Sequence, residues 1–507
     1  MKNIRLLGVL LLGLIVFNAC RKDFDFEPSQ GTLAFSKDTV FLDTVFTNIG
    51  TSTYTLKVYN RSNTNIQIPS IRLAQGEASN YRLLVDGMSG KTFQNVELLA
   101  KDSMYVFIEA TIDYEKYKNP EASFLYTDQL LFQSQNKTQP IEIVTLVKDA
   151  YFLYPKKDAA GITETLTVGE EEIHGFYLSE NDPVFGNSLH WKADKPYVVY
   201  GYAGVPKGKE LVVEAGAEIH FHTDSGIIAA DQANIKAMGT LEKPIYFQGN
   251  RLEYSYRYTP GQWGTIWLTP ESNATFENVV IQNPTIGLFI NKNKDLIKLH
   301  NVQIYNASQY GILARTATLE ASNTVIGSAG AASLACTLGG SYSFIHSTFA
   351  NFWNTPNHTA VWVDNGDGKE EFRLHKLLFA NCILYSQASE SLVLHPATAN
   401  TDDFPIVFDT NFIKFYDNAN RLTGVFPYSF DNETSFATNF IQRRNDTFKP
   451  VFVAANRNQF QLTSETVGLL GVSNPFYTQK APTDILGKTR LNAPDLGAYQ
   501  HIIQAEE

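Results

Sequence analysis

Phe276-Glu-Asn278-Val-Val-Ile281 and, 23 residues on, Leu299-His-Asn301-Val-Gln-Ile304 state one phrase twice. Ala321-Ser-Asn323-Thr-Val-Ile326 follows 22 residues later and Phe344-Ile-His346-Ser-Thr-Phe349 after another 23. Beyond an insertion the phrase returns as Phe379-Ala-Asn381-Cys-Ile-Leu384, and more loosely as Phe408-Asp-Thr-Asn411-Phe-Ile413. A period in the low twenties, built from short β-type runs without helical spacing, marks a solenoid. One such unit cannot bury its apolar face alone and must stack on the next.

Within each phrase the first and third residues after the Asn position are small or apolar, as in Val279 and Ile281 or Val302 and Ile304. That period-2 alternation turns one face inward. Asn tolerates a left-handed bend better than other non-glycine residues. The sequence thus predicts an Asn in the bend between two short strands of every coil, and Asn side chains bonded from coil to coil. Gly287-Leu288 and Gly311-Ile312 are read as a second corner. An antiparallel sandwich is the competing fold, but it has no need of so regular a repeat.

Leu211-Val-Val-Glu-Ala-Gly-Ala-Glu-Ile219, Ile235-Lys-Ala-Met-Gly-Thr-Leu-Glu-Lys-Pro-Ile245 and Gln262-Trp-Gly-Thr-Ile266 resemble the opening coils of right-handed parallel β-helix proteins of the pectin-lyase-like superfamily. The resemblance runs over roughly 205–500. It implies a fold and leaves the activity open, because lyases, hydrolases and adhesins share it. Phe448-Lys-Pro-Val-Phe452, Asp484-Ile-Leu-Gly-Lys-Thr-Arg490 and Pro494-Asp-Leu-Gly-Ala-Tyr499 resemble the C-terminal segment of bacterial surface β-helix proteins. That resemblance implies a structural cap, with an Arg490–Asp495 pair as a further expectation.

The 507 residues suffice for two or three domains. Hydrophobic content of 44% against 18% charged excludes a disordered chain. A net charge of −11 without a basic stripe argues against nucleic acid as a partner.

Residues 1–20 have a basic start, an apolar run from Leu6 to Phe17, and Asn18-Ala19-Cys20. That is a secretory signal, too short to span a membrane. Its end resembles a bacterial lipobox, which implies that Cys20 becomes the lipidated first residue of a Bacteroidetes-type lipoprotein. The alternative is a plain signal peptide. Residues 21–30 are a charged tether. In 31–150, runs such as Thr39-Val-Phe-Leu42, Tyr54-Thr-Leu-Lys-Val-Tyr59 and Ile141-Glu-Ile-Val-Thr-Leu-Val147 read as some seven strands of an Ig-like β-sandwich. Asp43-Thr-Val-Phe46 through Val58-Tyr-Asn60 is similar to bacterial Ig-like domains of the abnormal-spindle/hydin group. Residues 151–205 connect and cap, 206–425 form the solenoid, and 426–507 end and close it. The predicted fold is therefore all-β, a right-handed parallel β-helix solenoid preceded by an Ig-like sandwich. Cys336 and Cys382 fall at different phases of the coil and read as small buried hydrophobes.

Two loops break the repeat, and insertions on one face of a solenoid are often its binding side. The first carries Arg251, Tyr254, Tyr256, Arg257 and Tyr258 before Trp263. Aromatic faces stack on sugar rings and Arg pairs with uronate or sulfate, so this loop is the candidate glycan site. Packing over the side of the solenoid is an equal alternative. The second, Asp364-Asn-Gly-Asp367-Gly-Lys-Glu370, reads as a solvated loop or as a Ca2+ site of Asp364, Asp367 and Glu370. For catalysis Lys236, as a lyase base, and the Asp402-Asp403 pair are the candidates, with solvent-facing charge as the plainer reading. Lys292, Lys294 and His300 also lie on coils. The sequence reading is a lipid-anchored outer-membrane protein, periplasmic or cell-surface facing, that binds polysaccharide or another envelope component. A polysaccharide lyase or glycoside hydrolase, or a purely adhesive role, are the alternatives.

Overall fold

The computed structural model describes residues 25–117, 123–366, 368–398, 401–443, 448–490 and 494–501. The signal segment, Cys20 and Asp367 lie outside them. The protein is all-β, and the strands of its larger unit are linked into one very large continuous network. It divides into two compact units between Asp149 and Ala150.

The first unit has two sheets over one core. Ile66–Leu73, Ser123–Gln133, Thr138–Lys148 and Thr39–Phe46 form most of one, and Tyr54–Tyr59, Ser103–Ala110 and Tyr81–Val85 most of the other. Strict alternation in Thr138–Lys148 sends Ile141, Ile143, Thr145 and Val147 inward. They meet Leu56, Val58, Val106 and Ile108 from the facing sheet. The sequence reading missed Tyr81–Val85, Thr92–Leu98 and Ser123–Gln133. In the second of these, Asn95 at φ +53 breaks the alternation that would have exposed it.

In the second unit the repeated phrases lie in register, each strand parallel to its counterpart one coil on. Phe276 pairs with Leu299, Leu299 with Ala321, Ala321 with Phe344, Phe344 with Phe379, Phe379 with Phe408 and Phe408 with Phe436. Each coil contributes to three sheets. The first holds 273–277, 296–300, 317–322, 340–345 and Leu374–Ala380. The second holds 279–282, 302–305, Val325–Ile326, Thr348–Asn351 and Ile383–Ser386. The third holds Ile266–Leu268, Ile286–Asn291, 310–315, 332–337, Thr359–Asp364 and Leu392–His395. Inside, the rings of Phe344, Phe379, Phe408 and Phe436 stack with centroids 4.8, 5.1 and 5.0 Å apart.

The corner between the first and second sheets falls where the repeat put Asn. Asn278, Asn301, Asn323, His346 and Asn381 all have φ between +47 and +56. In the next two coils Thr410 and Thr438 take that conformation instead, and Asn411 and Asn439 follow them. The Asn ladder also forms. Asn301 Nδ2 donates to Asn278 Oδ1 and Asn323 Nδ2 to Asn301 Oδ1, each at 3.0 Å, and Asn411 Nδ2 to Asn439 Oδ1 at 3.0 Å. Asn301→Gly keeps the bend and loses the ladder, whereas Asn301→Ala loses both. Chemical denaturation should show the Gly variant less stable by about 1–2 kcal/mol and the Ala variant by about 1–2 kcal/mol more. Equal losses would refute the left-handed account.

Three expectations are corrected. Gly287 and Gly311 do not turn the chain; they lie within strands, where a Cβ would sit 2.4 Å from the next coil's carbonyl oxygen. The second corner is Asn283 and Asn306, at φ +60 and +56, with their own 3.0 Å side-chain bond. Stacking begins long before 206, since Tyr151–Leu153 already pairs parallel with Tyr197–Val199 and His190–Trp191 with Val212–Val213. Finally, residues from Phe448 on do not simply close the end. They lie along the outer side of the second sheet, where Phe460, Ile485 and Tyr499 pack on Val280, Tyr305, Val325 and Ala350, and Leu462, Leu469 and Leu496 on Ile383 and Phe412.

Candidate functional site

With the C-terminal segment over the second sheet, the first and third sheets keep outward faces of their own. On the third sheet one outward row runs Trp267, Phe289, Leu313, Ala335, Trp362, Val393. The Trp267 ring lies tilted against Phe289 at 5.3 Å, and Trp362 stacks on His395 at 4.9 Å. The row is apolar throughout, and Trp362 is 37% exposed.

The first sheet is different. Its outward rows are polar and ionic, and they floor a groove of 410 Å³. One row runs Lys236, Thr275, Lys298, Glu320, Ser343, and the next Glu277, His300, Ser322. Lys376 and Lys480 also line the groove, the latter from the C-terminal segment, whose Tyr477 and Ala481 pack against Ile345, Leu378 and Ala380. In-register neighbours in a sheet stand about 4.8 Å apart, so each row is a line of closely spaced groups along the stack. His300 Nδ1 lies 2.8 Å from Ser322 Oγ. Burial pushes the His300 imidazole below its ordinary pKa, against the opposing pull of the Glu277 charge. It is therefore neutral at pH 7 and able to accept a proton.

The predicted site residues scatter. Tyr254–Tyr256 is a 3-10 turn, not an extended run. Residues two apart on such a turn point in different directions, so the tyrosines share no face. Tyr254 is 76% exposed, while Tyr256 is covered by the Arg251 guanidinium at 4.1 Å and Arg251 is held by Glu253 at 2.6 Å. Arg257 lies over the Tyr258 ring at 5.4 Å, and Tyr258 borders a cavity of 460 Å³ with Phe352, Trp353 and Asn458. Trp263 is 1% exposed, stacked on Phe221 at 4.5 Å with Nε1 donating to Gln282 O at 2.7 Å, so it belongs to the core and is no ligand platform.

Of the three residues of the calcium reading, Asp367 lies outside the described residues. Asp364 Oδ1 accepts from Leu338 N and Oδ2 from Trp362 Nε1, both at 2.8 Å. Glu370 is exposed. Among the described residues no group of three or more His, Cys, Asp or Glu is placed to hold a metal ion. Asp402 and Asp403 sit in a 3-10 turn away from the groove, tied to the Asp364 loop through Asn365 Nδ2 and Asp403 O at 3.2 Å. Cys336 and Cys382 are buried free thiols, as expected, and burial pushes Cys382 up to about 12. His300 lines the groove, Lys236 is in register with Thr275 one coil before the groove lining, and Lys292 turns the corner before the first sheet at φ +57. Glu277, Ser322, Lys298, Glu320, Lys376 and Lys480 escaped the sequence reading. The first two could have been found, because Glu277, His300 and Ser322 each immediately precede the corner Asn of their repeat.

No protein family matches the chain, and no curated protein matches it. Among solved structures, the ASH/PapD-like domain of human CEP192 (PapD-like domain 7) is similar at 10% identity over 25% of this chain and 91% of that one, with a TM-score of 0.16. A family 123 glycoside hydrolase from Clostridium perfringens is similar at 7% identity over 23% of this chain and 26% of that one, with a TM-score of 0.15. Likenesses this slight carry no argument about fold or activity. Among the described residues no helix is long and apolar enough to cross a membrane.

Proposed function

We propose that the protein is a lipid-anchored cell-envelope protein, attached through Cys20 to the outer membrane, that binds an acidic polysaccharide along the first-sheet groove. Its coil unit is read as a right-handed parallel β-helix of the pectin-lyase-like kind, a reading supported by in-register parallel rows repeating every 22–23 residues. The first unit is read as an Ig-like stalk, supported by its two sheets over one core. The observation that carries the function is the groove itself. Its polar rows run along the stack, as an extended chain would, and Lys298, Lys376 and Lys480 outnumber Glu277 and Glu320 in a protein of net charge −11. Cations gathered there favour a ligand with repeated carboxylates or sulfates. The lyase and glycoside-hydrolase readings draw no support from Asp402 and Asp403.

Co-sedimentation of the full chain in detergent with polyuronate, sulfated and neutral polysaccharides tests this. Each exposed charge contact is worth up to about 1 kcal/mol, so Lys298→Ala, Lys376→Ala and Lys480→Ala combined should weaken retention of an acidic chain by about tenfold or more. Added salt should do the same. Native-level retention by the triple variant would move the site elsewhere, and retention of no glycan would overturn the reading.

A further inference from the structure

The row Glu277–His300–Ser322 has a chemistry that holding a sugar chain does not require. Register sets Glu277 beside His300 and His300 beside Ser322 on three successive coils. With Ser322 Oγ 2.8 Å from His300 Nδ1, the hydroxyl can donate only if Nδ1 is the bare nitrogen and the ring proton sits on Nε2. Glu277, on the far side of the imidazole from Ser322, is the carboxylate whose charge acts on the ring. Its charge favours the imidazolium that forms when the ring takes the serine proton. Carboxylate, imidazole and hydroxyl in that order are what activate a serine, whatever fold carries them. All three line the groove and none is fully buried, so a substituent on a bound chain can reach Ser322. Lys298 stands two residues before His300 on the same outward face, and Lys376 and Lys480 share the groove. Their ammonium groups suit a developing oxyanion.

We infer that this row is a hydrolytic site for ester groups, the O-acyl substituents of the polysaccharide held in the groove. The inference rests on the proposal that the groove binds such a chain. Ser322 Oγ attacks the ester carbonyl as its proton passes to His300, forming a tetrahedral oxyanion. Collapse breaks the carbonyl–alkoxy bond, and His300 returns the proton to the departing sugar hydroxyl. Water then attacks the acyl-serine with His300 as base. The carboxylic acid leaves and Ser322 regains its proton. Water is the sole co-reactant, and no oxidant or metal enters the balance.

The test uses the full chain in detergent with a fluorophosphonate probe, peptide mass spectrometry, and acetate release from O-acetylated polyuronate. The expected result is probe on Ser322, no probe there in Ser322→Ala, and acetate release reduced about a hundredfold or more in both Ser322→Ala and His300→Gln. Native protein that retains the chain but takes no probe at Ser322 and releases no acetate would overturn the inference and leave the binding proposal standing. Probe labelling unchanged by His300→Gln would also overturn it, because the serine would then owe nothing to the histidine. Loss of chain retention in the native protein would remove both.

Discussion

Replacing Phe379 by alanine should cost the coil unit about 3–5 kcal/mol, the range for emptying a large aromatic site in a close-packed core. Phe379 is fully buried, with the Phe344 ring 4.8 Å to one side and Phe408 5.1 Å to the other. Phe349 adds an edge contact at 5.7 Å. The vacated space lies in the middle of a stack, and its neighbours are fixed by parallel pairing on both sides. They can relax only by breaking register, so the cavity stays open. Phe379→Leu keeps most of the volume and should cost about 1.5 kcal/mol or less. Urea unfolding and hydrogen exchange over 374–414 measure both. A Phe379→Ala loss no larger than the Leu loss would mean that the stack is ornamental. Because a solenoid contacts itself coil by coil, the exchange should concentrate near the substituted coil and leave 202–250 protected.

Arg490→Ala is the second large effect. Arg490 is 6% exposed, and its Nη2 donates to Asn323 Oδ1 at 3.0 Å and to Gly497 O and Ala498 O at 3.1 Å. The expected pairing with Asp495 takes another form. Asp495 holds His501 Nδ1 at 2.8 Å and accepts from Gly471 N at 2.9 Å, while it and Asp484 act on the guanidinium through charge alone. Burial pushes Arg490 down to about 10, so it remains charged at pH 7. Its loss takes a donor from three acceptors and removes the guanidinium charge that acts on the buried Asp484 and Asp495. Breaking a buried charge arrangement of this kind costs about 3–5 kcal/mol. Limited proteolysis should then cleave within 448–490 first, with the first unit untouched. Unchanged melting and unchanged cleavage would show that the segment is held by its apolar contacts alone.

What the sequence disclosed and what it hid divide along a physical line. The corner Asn residues and the inward alternation of Val302 and Ile304 are local requirements of backbone conformation and burial, and a local requirement recurs in every repeat. The place of the C-terminal segment is a long-range matter. Ala498 N meets Thr348 Oγ1 and Asn474 N meets Asn381 Oδ1 across separations of 150 and 93 residues, for which no periodicity exists. The tyrosine loop misled because its spacing was read as extended chain, while Glu253 and Arg251 fold it into a turn. Trp263 misled because an aromatic beside a loop can equally plug the core. The groove was half visible: His300 was noticed singly, and only stacking sets it in line with Glu277 and Ser322.

The C-terminal segment also orders events in time. Coils from Tyr151 to Gln442 can pair in chain order, each on its predecessor. The second sheet, however, keeps Val280, Val325, Ala350 and Phe412 bare until residues 460–499 have followed. A chain cut short by some forty residues would carry complete coils with an uncovered apolar strip down one side. An uncovered strip of that kind invites association with other apolar surfaces, so the segment works as a fitted cover for the second sheet.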